Sequence, residues 1–138
     1  MKLLLPEPPS KNKLRSAAYS GGEGYARHLR HTYKRAVWAE ALGQKLPTTD
    51  PPSPVLVSAH FRLHGLRDED NLYASLDLIC DALRCPREGE TMDWRQGIAV
   101  RKGFFVDDNP RDMTLGEITQ EIDRADRGVT VTIADLGS

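Results

Sequence analysis

Long hydrophobic runs are what this sequence most plainly lacks. No apolar stretch in its 138 residues approaches the ~20 needed to span a bilayer, and Leu3-Leu4-Leu5 is stopped by Pro6 before it can form a signal-peptide core. The expectation is a cytoplasmic protein. Cysteine is almost absent too: Cys80 and Cys85 cannot make a disulfide framework and are expected to be reduced. Together with His60 and His64 they do not match the spacing of a closed zinc motif. No internal repeat is visible, and no excess of one charge sign marks the whole chain, whose net charge is −1.

With 39% hydrophobic and 28% charged residues, the composition fits one domain, 1–138, with a core of ordinary size. The charge is unevenly spread. Residues 1–45 carry nine Lys and Arg against three Asp and Glu, while 107–138 carry three against eight. A basic N-terminal third allows a polyanion to be held in one place while carboxylates gather in another.

Residues 2–5 predict a first strand, closed by Pro6-Glu7-Pro8-Pro9-Ser10. Residues 11–24, basic and then glycine-rich, predict a loop, with Lys11, Lys13 and Arg15 available to phosphates. Helical spacing over 25–42 places Tyr25, Leu29, Tyr33, Ala36, Val37 and Leu42 on or near one face and Arg27, Arg30, His31 and Lys34 on the other. That basic face serves either as a plain solvated surface or as a track for phosphates. Residues 55–63 alternate strictly, so Val55, Val57, Ala59, Phe61 and Leu63 form the buried face of a strand whose other face carries His60, Arg62 and His64. A second helix over 71–83 buries Leu72, Leu76, Ile79, Cys80 and Leu83. A short helix is expected over 92–102, and strands over 115–122 and 129–133.

Two acidic knots carry the chemistry. Arg67-Asp68-Glu69-Asp70-Asn71-Leu72 packs three carboxylates just ahead of the second helix. Such carboxylates repel unless a cation offsets them, and a hard divalent ion takes oxygen ligands of this kind. A structural reading is equally available, with Asp70 as N-cap and Asp68 and Glu69 favouring the positive end of the helix. Further along the same helix Asp70, Asp77 and Asp81 line one edge without an intervening cation. The second knot is Asp107-Asp108, delivered by the apolar run Phe104-Phe105-Val106.

Three of these segments together resemble the RusA-type Holliday junction resolvases, crossover junction endodeoxyribonucleases of bacteria and their prophages. They are Leu5-Pro6-Glu7-Pro8-Pro9-Ser10-Lys11-Asn12, Asp68-Glu69-Asp70-Asn71-Leu72 and Gly103-Phe104-Phe105-Val106-Asp107-Asp108, joined by Asp81-Ala82-Leu83 at the end of the second helix. The resemblance spans most of the chain. It implies a small dimeric, Mg2+-dependent endonuclease, with Mn2+ as a substitute, that nicks four-way DNA junctions in recombination and repair. The implied metal ligands are Asp68, Asp70 and Asp108, with Asp107 beside them. The chain departs from the family where Ala74 stands in place of a lysine, which leaves Arg67 and Lys102 as candidate phosphate-holding cations. The second helix is also one turn longer, and 84–102 exceeds the family's connection.

The expected fold is therefore α+β in two layers, RusA-like: a small mixed sheet from 2–5, 55–63, 115–122 and 129–133, with helices 25–42 and 71–83 on one face. Its open face, and a substrate that needs two cuts, predict a C2 homodimer. The DNA contacts are assigned to Lys11, Lys13, Arg15, Arg27, Arg30, Lys34 and Arg62. No organic cofactor and no membrane association are expected. The alternative function is a branched-DNA-binding protein that keeps the scaffold without the chemistry.

Overall fold

The computed structural model describes residues 1–95 and 101–137. Six elements follow in the order β1 (Lys2–Leu5), α1 (Lys11–Gln44), β2 (Val55–Leu63), α2 (Glu69–Leu83), β3 (Met113–Ile122) and β4 (Gly128–Asp135). The four strands make one mixed sheet in the order β1-β4-β2-β3. β4 pairs antiparallel with both β1 and β2, and β2 pairs parallel with β3. Two helices on this sheet make the expected α+β two-layer arrangement.

Alternation in β2 does what period two requires: Val55, Val57, Ala59, Phe61 and Leu63 are all buried beneath the helices. Leu3 and Leu5 of β1 and Val129, Val131 and Ile133 of β4 join them in one core with Leu72, Leu76, Ile79, Cys80 and Leu83 of α2. Each fully buried Val, Leu or Phe side chain contributes roughly 1.5–3 kcal/mol. The register of β2 against β3 slips between Val57 and Ala59. β3 is an edge strand that the helices cover only in part, and its Leu115 and Ile122 stay exposed.

The first helix corrects the sequence reading. Residues 11–24 are helical, not a loop, because Ser10 caps the helix by accepting from the Lys13 backbone N at 3.0 Å. Lys11 N also donates to Asn71 Oδ1 at 2.8 Å, which fastens the start of α1 to the start of α2. The glycines that suggested a loop produce only a break at Gly22, whose φ of 82° lies in the region glycine tolerates best. Beyond the break, Ala26, Tyr33, Val37, Trp38 and Ala41 face inward, while Tyr25 and Ala36 are exposed. The helix expected over 92–102 lies partly outside the described residues. Of its described part, Met92, Trp94 and Arg95 are buried without forming a helix.

Candidate functional site

The second acidic knot owes its position to backbone pairing. Gly103 and Thr48 exchange two backbone hydrogen bonds, Phe104 N donates to Leu83 O at 2.8 Å, and Cys85 N donates to Phe105 O at 2.9 Å. This short ladder needs glycine at 103, where a Cβ would come within 2.4 Å of Cys85 N. Phe104 and Phe105 are buried, and Phe104 meets Trp38 edge-on with ring centroids 5.9 Å apart. Asp107 and Asp108 therefore leave the core on a fixed path.

That path leads them against α2. Burial and the nearby charges of Asp108 and Asp81 raise the Asp77 carboxyl above its ordinary value. Burial and then Asp107 raise Asp108 in the same way. The buried Cys80 thiol is pushed up to about 12, chiefly by burial but also by Asp77, Asp108 and Asp81. The long-spaced stripe on α2 and the turn after Phe105 thus converge on one negatively charged patch.

Cations offset only part of it. Arg87 donates to Asp107 through Nε at 3.2 Å and Nη2 at 3.0 Å, and to Asp108 Oδ1 at 3.0 Å. Its hydrogen bonds hold Asp107 at about 2. Arg84, almost wholly buried, is gripped between Asp81 Oδ1 at 2.8 Å and both oxygens of Glu90 at 2.6 and 2.8 Å. Glu90 is held at about 2 by those bonds. Burial works to raise Asp81, but hydrogen bonds and charge from Lys34 and Arg84 outweigh it and keep its carboxyl low. Asp77 has neither arginine among the charges acting on it.

The first knot is built differently. Asp68, not Asp70, caps α2, with its Oδ1 accepting from Asn71 N at 2.8 Å. Glu69 and Asp70 already belong to the first helical turn, so Asp68 and Asp70 do not share the face of an extended segment. Seven residues at a 1.5 Å rise set Asp70 about 10 Å from Asp77 along the axis. Asp108 is thus set against the middle of α2, beside a residue that the expected ligand set left out. The missed partner had a sequence signal, the unrelieved run of like charge at 70, 77 and 81.

No family model matches the chain, and no curated protein matches it.

Several expected cations are already engaged. Arg67 is the most fully engaged: its Nη1 donates to Ser75 Oγ and its Nη2 to Pro8 O, both at 2.7 Å, and its side chain is only 9% exposed. It ties the N-terminal loop to α2. Lys34 leaves the outer face of α1 to pair with Asp81, with its ammonium 5.8 Å from the Trp94 ring centre. Arg62 donates to Thr130 Oγ1 at 2.7 Å and Asp126 O at 3.0 Å on the open face of the sheet. Arg30 pairs with Glu23 at 2.6 Å. Lys11, Lys13, Arg15 and Arg27 remain exposed, and Lys102 is half-buried. A positive field persists on α1: burial, then Lys34, Arg27 and Arg30, lower the His31 pKa.

Among the described residues, no three His, Cys, Asp or Glu side chains are gathered closely enough to hold a metal. The donor chemistry still fits Mg2+, which keeps several waters and is commonly bound by one or two carboxylates plus substrate phosphate. Asp77 and Asp108, both raised by burial first and by neighbouring carboxylates after it, are the pair with that donor chemistry.

Proposed function

We propose that the chain is a Mg2+-dependent, structure-selective endodeoxyribonuclease acting on branched DNA, with four-way junctions as the expected substrate and Mn2+ as a substitute ion. The observation that carries this reading is the raised carboxyl of Asp77, imposed by burial and then by the charges of Asp108 and Asp81, which a bound cation would relieve. When bound, Mg2+ supplies charge stabilisation at the phosphoryl oxygen and an acidified water. Asp77 and Asp108 hold it. Asp107 fixes the turn by accepting the Asp108 backbone N–H at 2.8 Å. Arg87, 52% exposed and bidentate on Asp107, is the cation suited to meet the scissile phosphate in the place expected of Arg67 or Lys102. Lys13, Arg15 and Arg27 follow the flanking backbone. Asp68 and Asp70 lie at the N-terminus of the same helix, with Asp70 the freer of the two to approach DNA or metal.

A C2 homodimer belongs to the same proposal. The open sheet face, with Lys2, Ser58, His60, Glu117, Thr119, Thr130 and Thr132 around one shallow depression, is the face assigned to the partner subunit, so that two sites meet one junction. A light-scattering mass equal to one chain at micromolar concentration would count against it.

The second reading, a branched-DNA-binding protein without chemistry, is motivated by Ala74 standing where the resembled family has a lysine. One experiment separates the two: four-way, flapped and linear DNAs incubated with the protein and Mg2+, beside Asp108→Asn. Metal-dependent nicking of branched DNA that disappears in the variant supports the nuclease. Branched-DNA binding without nicking selects the second reading. If Ala74→Lys then restores cutting, the missing cation is the reason.

A further inference from the structure

A groove of about 640 Å3 opens between the N-terminal loop, the middle of α1 and the segment leading into α2. It is separate from the patch formed by Asp77 and Asp108, none of whose carboxylates line it. Its volume falls in the range that holds small organic ligands.

Its charge is uneven. Three cationic side chains, Lys13, Arg67 and Arg127, line it against one carboxylate, Glu7. Glu7 is shared: Oε1 lies 3.5 Å from Arg67 Nη2 and Oε2 lies 3.6 Å from Arg127 Nη1. Both separations exceed an ordinary charge-assisted hydrogen bond. Arg67 is locked into Ser75 and Pro8, so it contributes charge from behind the wall. Arg127, half exposed, and the exposed Lys13 are free to turn toward a ligand. His64 also lines the groove.

The remaining wall is mixed, with an apolar strip among polar residues such as Ser10, Asn12 and Thr32. Leu66 is 63% exposed at the rim, an unusual place for a large aliphatic side chain, and Leu29, Pro8 and Pro9 line the groove with it. A ligand matched to this surface has an anionic end and a flat apolar body. Asn71, at the first turn of α2, forms part of the wall and places the groove next to Asp68 and Asp70.

We propose that this groove holds one unpaired nucleotide of a DNA strand, with its phosphate on Lys13 and Arg127 and its base against Leu66 and Leu29. The inference deepens the branched-DNA reading, because a branch point supplies unpaired nucleotides, and it rests on that reading for the choice of DNA over a free nucleotide. Apolar packing against Leu66 and Leu29 touches the face of a base and not its hydrogen-bonding edge, so the groove selects for strand opening and not for a base.

The test uses the whole protein without divalent ions, at low salt. Binding of fluorescein-labelled dT4 is followed by anisotropy for the wild type, Lys13→Ala/Arg127→Ala, Leu66→Asp and the control Arg111→Ala, whose exposed side chain lies outside the groove. Melting curves establish that each variant is folded. The double variant is expected to lose at least tenfold in affinity and the control to lose none. Leu66→Asp, which also brings a carboxylate near the phosphate, is expected to weaken dT4 by more than it weakens an abasic tetramer. Absent wild-type binding, a double variant equal to the wild type, or an abasic tetramer bound as well as dT4 each overturns the proposal. Thymidine monophosphate binding as tightly as dT4 transfers the groove to free nucleotides and overturns the DNA assignment. Groove-dependent dT4 binding with no Mg2+-dependent nicking leaves the groove standing and removes the nuclease. Nicking by a protein whose double variant still binds dT4 removes the groove alone.

Discussion

The two acidic groups on α2 have similar composition and opposite electrostatics. At the start of the helix, the Asp68 charge is satisfied locally, because its oxygen accepts a free N–H and sits at the positive end of the helix dipole. In the middle, Asp77 lies where the helix offers neither a free donor nor a favourable dipole, and a second chain segment brings Asp108 beside it. The first group stabilises the fold unaided. In the second, burial and neighbouring carboxylates make the ionisation of Asp77 and Asp108 costly. Counting carboxylates in the sequence does not separate them; asking what offsets each one does.

The comparison is broken most severely by Asp108→Asn. Nicking of branched DNA in Mg2+ should fall by about two orders of magnitude or more, the effect of removing several kcal/mol of charge stabilisation from phosphoryl transfer. Asp68→Asn should retain most activity, and single-turnover cleavage assays measure both. A loss in Asp70→Asn equal to that in Asp108→Asn would unite the two groups in one site. Next in size is Arg84→Met, which leaves Asp81 and Glu90 without their buried partner. Breaking such a pair costs about 3–5 kcal/mol, read as a shifted midpoint in urea unfolding. Asp68→Ala removes a cap and should cost about 1 kcal/mol by the same measurement.

The smallest effect is the most diagnostic in sign. Because the Asp77 carboxyl is raised in the folded chain, the folded state holds its proton more tightly than the unfolded state does. Its ionisation therefore lowers stability at pH 7, and this cost disappears as pH falls through the folded value to below the ordinary one. Glu90 has the opposite sign: held at about 2, it contributes stability that is complete above its ordinary value and lost as pH falls toward 2. Asp77→Asn should raise the melting temperature at pH 7 and not at pH 3, by an amount that solvent screening keeps within about 1 kcal/mol. Glu90→Gln should lower it at pH 7. Shifts of the same sign for both variants in differential scanning calorimetry would remove the distinction between crowded and satisfied carboxylates.

Much of the scaffold was legible because period and burial coincide. The alternation Val55, Val57, Ala59, Phe61, Leu63 and the stripe Leu72, Leu76, Ile79, Cys80, Leu83 are all buried where the pattern places them. Trp38 and Ala41 also belong to the core, although the expected inner face did not include them. The larger misses involve charge. Arg84 and Arg95 carried no expectation of burial, yet both are buried, and the Arg95 guanidinium lies 3.8 Å from the Trp38 ring centre and donates to Ala82 O and Lys102 O. Burial and Arg84 lower it to about 10. Periodicity reports apolar faces and is silent on an arginine whose partners are carbonyls distant in sequence. Pairing of β2 with β3 in parallel, and of Asp108 with Asp77, is likewise set by contacts that no local window contains.

The sheet order also constrains when the protein can acquire its shape. Among the described residues β4 bridges β1 and β2, so Leu3 finds its partner in Val131 and Ala59 meets the same residue from the other side. Once residues 1–100 have been synthesised, both helices and most of the core's apolar side chains are present without the strand that joins them. Loop closure over such separations is slow relative to helix formation. Until Gly128–Asp135 emerges, the nascent chain exposes the inward faces of β1 and β2, and that interval is when it is most open to chaperones and to aggregation.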